Sequence, residues 1–307
     1  MTELANDRHH VIFIGAVNLD EIIRVKADIQ PSASNLANWS HSLGGVATNA
    51  CRAATAVNAA TLNILLVAPI ADDETGRRIR EATVKLPIQS RLINLTNAIS
   101  GRYTAVQDVA GDLVLGLANT EIAEQLTASA LFPLIDKDNS TVVFDANLSA
   151  ETIKAIASHS RKCNSIGLAV SPTKSTRLLG AARHIDLLFL NRLEVAKLTG
   201  ESSENPLEIH AAELFNQGFN RFVITDGPSR LLVGCEGQVE SILPAPLNTN
   251  TRGVNGLGDA FAGATIAGLL DTTNHQLGTV TDLLYCIHNY GLPACRQLAQ
   301  SMKPDDV

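Results

Sequence analysis

Residues 141–190 read TVVFDANLSAETIKAIASHSRKCNSIGLAVSPTKSTRLLGAARHIDLLFL. Three runs in this stretch, Thr141–Ala146, Ile166–Ser171 and Leu187–Leu190, are apolar and too short for helices, which predicts buried strands. Between them, Glu151–Cys163 and Ser175–His184 space their apolar residues with a helical period. Strands that alternate with helices of this length predict a mostly parallel sheet covered on both faces, an α/β architecture.

The same rhythm extends toward the N-terminus. Val11–Val17 (VIFIGAV) reads as a buried strand, Val46–Ala60 as a helix of small residues, and Leu62–Ala71 as another buried run. Two segments, about 18–43 and 98–118, read instead as strands without intervening helices. Arg102–Val109 alternates polar and apolar side chains, as in a sheet with one wet face. These segments are expected to form a small β-sheet lid on a single domain spanning 1–307, with no internal repeat and no low-complexity linker.

The bulk properties exclude several classes. With 307 residues, 45% of them hydrophobic, the chain can bury a sizeable core. A formal charge of −7 without a Lys/Arg-rich run argues against nucleic acid as a partner. Cys51, Cys163, Cys235, Cys286 and Cys295 are far apart and lack C-x-x-C spacing, as expected of reduced thiols rather than a disulfide framework or a zinc site. Met1–His10 is polar and no apolar stretch reaches the roughly 18 to 20 residues of a membrane span, so a cytoplasmic protein without a membrane partner is expected.

The chemistry concentrates in Asn255-Gly256-Leu257-Gly258-Asp259-Ala260-Phe261, which opens a helix of small, apolar residues. A glycine-rich helix N-terminus exposes backbone N–H groups with no intrahelical partner, and the helix dipole adds positive potential. Asp259 in that first turn can accept a proton from a hydroxyl. An anion hole beside a carboxylate is the minimum constellation for phosphoryl transfer to an alcohol. A tight turn with a capping aspartate is the competing reading of these residues alone.

A second glycine pair opens a helix in Leu43-Gly44-Gly45-Val46-Ala47-Thr48-Asn49. Between the two lies Asn191-Arg192-Leu193-Glu194, after a strand, and after the first strand comes Val17-Asn18-Leu19-Asp20. In order and separation these four motifs resemble the signatures of the ribokinase-like (PfkB) carbohydrate kinases, over nearly the whole chain. The resemblance implies a three-layer α/β/α body with a small β-sheet lid, and ATP and Mg²⁺ as reactants. It implies that Asp259 is the catalytic base and that the N–H groups of Gly256, Leu257 and Gly258 hold the transferring phosphoryl. Asn18, Asp20, Gly44, Gly45 and Asn49 would bind the sugar hydroxyls. Asn191 and Glu194 would organise Mg²⁺ and phosphates, Glu194 through water. Thr225, Gly227 and Asn289 would lie beside the nucleotide. A homodimer paired through the lid sheet is also implied, since a bare lid edge would be a hazard.

Shorter matches point further. Ser34-Asn35, Gly101-Arg102-Tyr103-Thr104-Ala105-Val106, Asp145-Ala146-Asn147-Leu148-Ser149, Val170-Ser171-Pro172-Thr173-Lys174 and Tyr290-Gly291-Leu292 resemble pseudouridine kinases. That likeness implies pseudouridine as acceptor, with Asn147 and Lys174 near it and Tyr103 near the base. For Tyr103 and Trp39 ordinary lid packing is the competing reading. The alternatives are a kinase of ribose, a ketose or another nucleoside, and a ligand-binding protein of the same fold that has lost catalysis.

The departures are specific. Leu257 replaces the usual alanine of the anion-hole motif, and Thr225-Asp226-Gly227-Pro228-Ser229-Arg230 lacks the last glycine of the nucleotide loop. The family's V-G-D-D reads Ile70-Ala71-Asp72-Asp73. The Asp-Thr that helps ribokinases hold a monovalent cation is Gly253-Val254 here, so no monovalent-cation ligand carries over.

Overall fold

A computed structural model of the protein describes residues 8–136, 140–159, 163–245 and 256–301. The Gly253-Val254 substitution therefore lies outside the described residues. The first described elements are β1 (His9–Ile14), β2 (Asn18–Val25), β3 (Ala37–Gly44), α1 (Val46–Asn58), β4 (Leu62–Ala71), α2 (Glu74–Val84) and β5 (Gln89–Leu95). The chain continues through β6 (Arg102–Gln107), β7 (Leu113–Asn119), α3 (Ala128–Ile135), β8 (Ser140–Asp145), α4 (Ala150–His159), β9 (Asn164–Leu168), α5 (Pro172–Ser175) and β10 (Leu187–Asn191). The last part comprises α6 (Arg192–Thr199), α7 (Leu207–Gln217), β11 (Arg221–Asp226), β12 (Arg230–Cys235), β13 (Gln238–Ile242), α8 (Leu257–Thr272), α9 (Val280–Cys286) and α10 (Leu292–Ser301). The segment expected as one helix over Ser175–His184 is instead the short α5 followed by a 3-10 helix, Thr176–His184.

Nine strands form the main sheet in the order β13-β12-β11-β10-β9-β8-β1-β4-β5. All neighbours from β11 to β5 are parallel, and β12 and β13 extend the edge antiparallel. Along β1 the side chains alternate between two cores, because successive residues of a strand face opposite sides. Val11 and Phe13 pack with Ala50, Cys51 and Phe261 from α1 and α8. Ile12 and Ile14 pack with Ile153, Val195 and Leu214 from α4, α6 and α7.

The chain runs from β1 outward to β4 and β5 on one side, and to β8, β9, β10 and β11 on the other. The order reverses at β1, and such a switch point leaves a crevice beyond the C-terminal ends of the strands. The hairpin of β2 and β3 leaves from that end of β1. With β6 and β7 it forms a second sheet of four strands, β3-β2-β6-β7. In this sheet β2 and β6 are parallel and the other pairs antiparallel. Helix α8 is buried from Ala260 to Leu270 and lies against α1. Their backbones approach closely at Gly263, where an added Cβ would sit 2.0 Å from the Ala50 carbonyl oxygen.

Candidate active site

The close contact of α1 with α8 puts Asn49 beside Asp259. Asn49 Nδ2 donates to Asp259 Oδ2 at 3.0 Å, across 210 residues of sequence. Gly256 is the N-cap of α8 in the left-handed region, φ 81°, and an added Cβ there would lie 2.9 Å from Asn49 Nδ2. Both constraints keep the turn a glycine and leave the first N–H groups of α8 unpaired within the helix. Gly258 has open space where a Cβ would be, so its backbone faces the crevice unobstructed.

A cavity of about 220 Å³ lies there, lined by Gly256, Gly258, Asp259, Asn191, Glu194 and Thr225, among others. A larger one, about 520 Å³, opens at the opposite ends of the strands beside Asn164, Asp186, Arg221, Thr279 and Asp282. Size would favour the second. The first combines the glycine-opened helix with a carboxylate beyond the C-terminal ends of β9, β10 and β11, so chemistry favours the smaller cavity.

Asp259 is partly exposed at the cavity floor yet enclosed by protein. Burial pushes its pKa up to about 7, opposed by the Asn49 hydrogen bond and reinforced by the charges of Asp145 and Glu194. Asp20 is also raised to about 7, first by burial and then by the charge of Asp259. Two carboxylates that feel each other in this way titrate as a pair near neutrality. A base with a pKa near the working pH combines correct ionisation with useful basicity.

Asp20 reaches this site from the small sheet. Its carboxylate packs over Gly44, where an added Cβ would lie 1.9 Å from Asp20 Oδ2. Oδ1 of Asp20 and Oδ1 of Asn18 are buried without a hydrogen-bond partner. Tyr103 is the cross-strand neighbour of Asp20, half-buried, and both burial and the Asp20 charge raise its pKa. Gly45 carries φ 103° at the start of α1. Gly44, Gly45, Asn49, Asn18, Asp20 and Asp259 thus converge from four elements.

The remaining expected residues divide. Asn191 and Glu194 form a capping box: Asn191 Oδ1 accepts the Glu194 N–H at 3.0 Å, and Glu194 Oε2 accepts the Asn191 N–H at 2.8 Å. They are engaged with each other and still line the cavity. Burial raises the Glu194 pKa, and the Asn191 bonds oppose the shift. Thr225 lines the cavity beside Asn191, its partner in the sheet. Gly227 lies instead in the turn between β11 and β12, with φ 52°. Asn289 is exposed, donates to the Tyr285 carbonyl and does not line the cavity.

Lys174 donates to Asn147 Oδ1 and to Thr120 Oγ1, both at 2.7 Å. Burial and Arg177 lower its pKa while Asp145 works against them. Arg177 donates to the carbonyls of Ala146, Asn147 and Leu148 and pairs with Glu124 at 2.6 Å, which fixes the turn after β8. Thr120, Glu124 and Arg177 had no signal in the sequence. Asp145 had one, an Asp-x-Asn at the end of a buried parallel strand.

The fit for a divalent cation is specific. Among the described residues no cluster of three His, Cys, Asp or Glu is placed to hold a metal ion. Glu194, with one oxygen committed to its cap, suits Mg²⁺ that keeps most of its waters and takes its other ligands from phosphates.

The profile of the pfkB family carbohydrate kinases matches residues 8–283. A pseudouridine-metabolizing bifunctional protein of Schizosaccharomyces pombe is 26% identical over 204 residues, 64% of this chain. The match covers 26% of that protein, so the chain spans about a quarter of its length. Among solved structures, a carbohydrate kinase from Agrobacterium tumefaciens superposes with TM-score 0.76 at 23% identity, covering 96% of each chain. Ribokinase from Thermotoga maritima gives 0.75 at 15% identity, covering 95% of this chain and 98% of its own. Phosphofructokinase-2 from Escherichia coli, in complex with fructose-6-phosphate, gives 0.70 at 16% identity, covering 96% and 99%. These likenesses make the fold ribokinase-like.

Proposed function

This chain belongs to the pfkB family of carbohydrate kinases, phosphotransferases with an alcohol acceptor, and from that premise we propose that it phosphorylates a nucleoside, pseudouridine, at its 5′-hydroxyl using ATP. The observation that carries the mechanism is Asp259: a carboxylate in the first turn of α8, held by Asn49 and raised to about 7. It takes the proton of the acceptor hydroxyl as that oxygen attacks the γ-phosphorus. The bond to the β-phosphate oxygen breaks and ADP leaves. The N–H groups of Gly256, Leu257 and Gly258 stabilise the charge on the transferring phosphoryl, and backbone donors work there whichever side chain residue 257 carries. Mg²⁺ bound at Glu194 through water would neutralise phosphate charge. Asn18 and Asp20 supply the acceptor side, with Asn147 and Lys174 near the substrate and Tyr103 near the base.

The choice of pseudouridine is supported by the fission-yeast relative and by the short matches along the chain. The small sheet acts as the lid of a single domain. It pairs with a second copy through β7, whose seven residues are all exposed and include Leu113, Val114, Leu115 and Leu117. The thiols of Cys51, Cys235, Cys286 and Cys295 stand outside any disulfide, as suits a cytoplasmic enzyme. Among the described residues no helix is long and apolar enough to cross a membrane.

The test is ADP release from MgATP against pseudouridine, uridine, cytidine, adenosine, ribose, fructose and no acceptor. Selective turnover of pseudouridine is expected. Turnover of another acceptor keeps Asp259 and removes the substrate. Tight ligand binding with no turnover of any acceptor replaces the kinase reading with a binding protein.

A further inference from the structure

Asp145 is the acid for which the chemistry above has no use. It ends β8 and is fully buried. Its Oδ2 accepts the N–H groups of Ala16 and Ala47, each at 3.0 Å, and its Oδ1 accepts the N–H of Asn147 at 2.9 Å. Those three amides belong to three segments that carry the site. Ala16 lies in the turn from β1 to Asn18 and Asp20, Ala47 in the first turn of α1 before Asn49, and Asn147 in the turn after β8. Gly15 packs onto the same carboxylate, and an added Cβ there would sit 2.3 Å from Asp145 Cγ. Burial raises the pKa of Asp145, and the donors from Ala16, Ala47 and Asn147 oppose the rise. Three N–H groups directed at the two oxygens are the surroundings of a carboxylate anion.

We propose that Asp145 is a positioning residue of the phosphoryl-transfer centre: its carboxylate clamps the β1 turn, the start of α1 and the β8 turn to one another, and its charge strengthens Asp259 as a proton acceptor. The inference rests on Asp259 being the base. The mechanical link runs from Ala47 along α1 to Asn49, which holds Asp259. The electrostatic link acts through the protein interior, where charges interact over longer range than in water. The charges of Asp145 from β8 and Glu194 from α6 act on Asp259, the Asn49 amide of α1 is bonded to it, and the charge of Asp259 acts on Asp20 of β2. Tyr103 of β6 is the register partner of Asp20, and the charge of Asp145 acts on Lys174 of α5. Removing one of these negative charges lowers the proton affinity of Asp259.

Two variants separate the links. Asp145→Asn keeps the size and removes the charge; Gly15→Ala keeps the charge and displaces the carboxylate. For Asp145→Asn, kcat falls by roughly tenfold or more while KM for ATP stays within about twofold. Its acidic limb of kcat against pH moves down by about half a unit or more, since the base loses a neighbouring anion. For Gly15→Ala, kcat falls and the acidic limb stays in place. A purely structural part for Asp145 would lower Tm without moving that limb.

An acceptor-independent reading is the infrared carboxyl band that disappears in Asp259→Asn, whose titration midpoint moves lower in Asp145→Asn. A folded Asp145→Asn with wild-type kcat and an unmoved midpoint overturns the inference. If Asp145→Asn does not fold, Gly15→Ala with wild-type kcat overturns it. Turnover retained by Asp259→Asn removes the base itself and this inference with it. An inactive Asp259→Asn beside a wild-type-like Asp145→Asn removes only the present inference.

Discussion

The two walls of the crevice are finished to different degrees. On the body side the polar groups are already committed: Asn49 to Asp259, Asn191 to Glu194, and Asp145 to three backbone amides. On the small sheet Asn18 Oδ1, Asp20 Oδ1, Arg24 Nε and Gln107 Oε1 are buried without partners. Asn18, Asp20 and Arg24 point to one face of β2, and Gln107 is the register partner of Arg24 on β6. A buried polar group left unpaired costs free energy, and Asn18 and Asp20, at the start of β2 beside Gly44 and Gly101, each keep an acceptor oxygen there. In the proposed function the body wall receives the phosphate, whose geometry is the same for every acceptor. In the proposed function the small sheet serves the acceptor.

That contrast can be broken most sharply at Asp259. Asp259→Asn keeps the bond from Asn49 and should cut turnover by roughly 10² to 10⁴, the contribution of a general base, with acceptor affinity in calorimetry preserved. Equal loss of binding and turnover would place Asp259 with the acceptor wall instead. The same variant should raise Tm at pH 8. A carboxylate with a folded pKa of about 7 against the ordinary 3.8 contributes stability that is present at low pH and lost as pH rises through 7. Replacing it with a neutral amide removes that loss.

Asp20→Ala tests the other wall. It should raise KM for the acceptor by roughly tenfold to a hundredfold, as removal of a charged hydrogen-bonding group does, with kcat changed far less. A fall in kcat with unchanged KM would move Asp20 to the body side of the comparison. In the wild type, kcat should rise with pH along a limb centred near 7, where Asp259 loses its proton. A rate independent of pH between 5 and 9 would show that no group of this kind limits the reaction. The smallest effect on turnover is expected at the outer edge. Leu115→Lys, on the exposed β7, should halve the mass seen by light scattering while kcat stays within about twofold. An unchanged mass would place any pairing surface elsewhere.

The body was readable because its strands are buried on both faces. VIFIGAV, TVVFDA and LLFL are continuous apolar runs that only a covered sheet accommodates. Helices α1 and α8 announced themselves through the glycines that open them. The 3-10 turns of Thr176–His184 were not readable, because the spacing there satisfies a helix of either pitch. Within the site, Asp259, Asn49 and Asp20 stood in motifs, and their meeting did not. Gly227 stood in a motif and Asn289 beside one, and the structure puts the first in a hairpin turn and the second on the surface. Asp145 lay in plain view in DANLS, but a carboxylate at a strand end carries no label for the amides it will bind.

The sequence by itself determined the layers, the two glycine-opened helices and the acid that begins the second of them, because period, turn chemistry and capping are local. Tertiary structure alone decided that Asn49 holds Asp259 across 210 residues, that Asp145 ties three segments together, and that both Asp20 and Asp259 titrate near 7. Those properties arise from burial and from charges brought close by folding, and no local pattern encodes a distance between residues that meet only in the packed core.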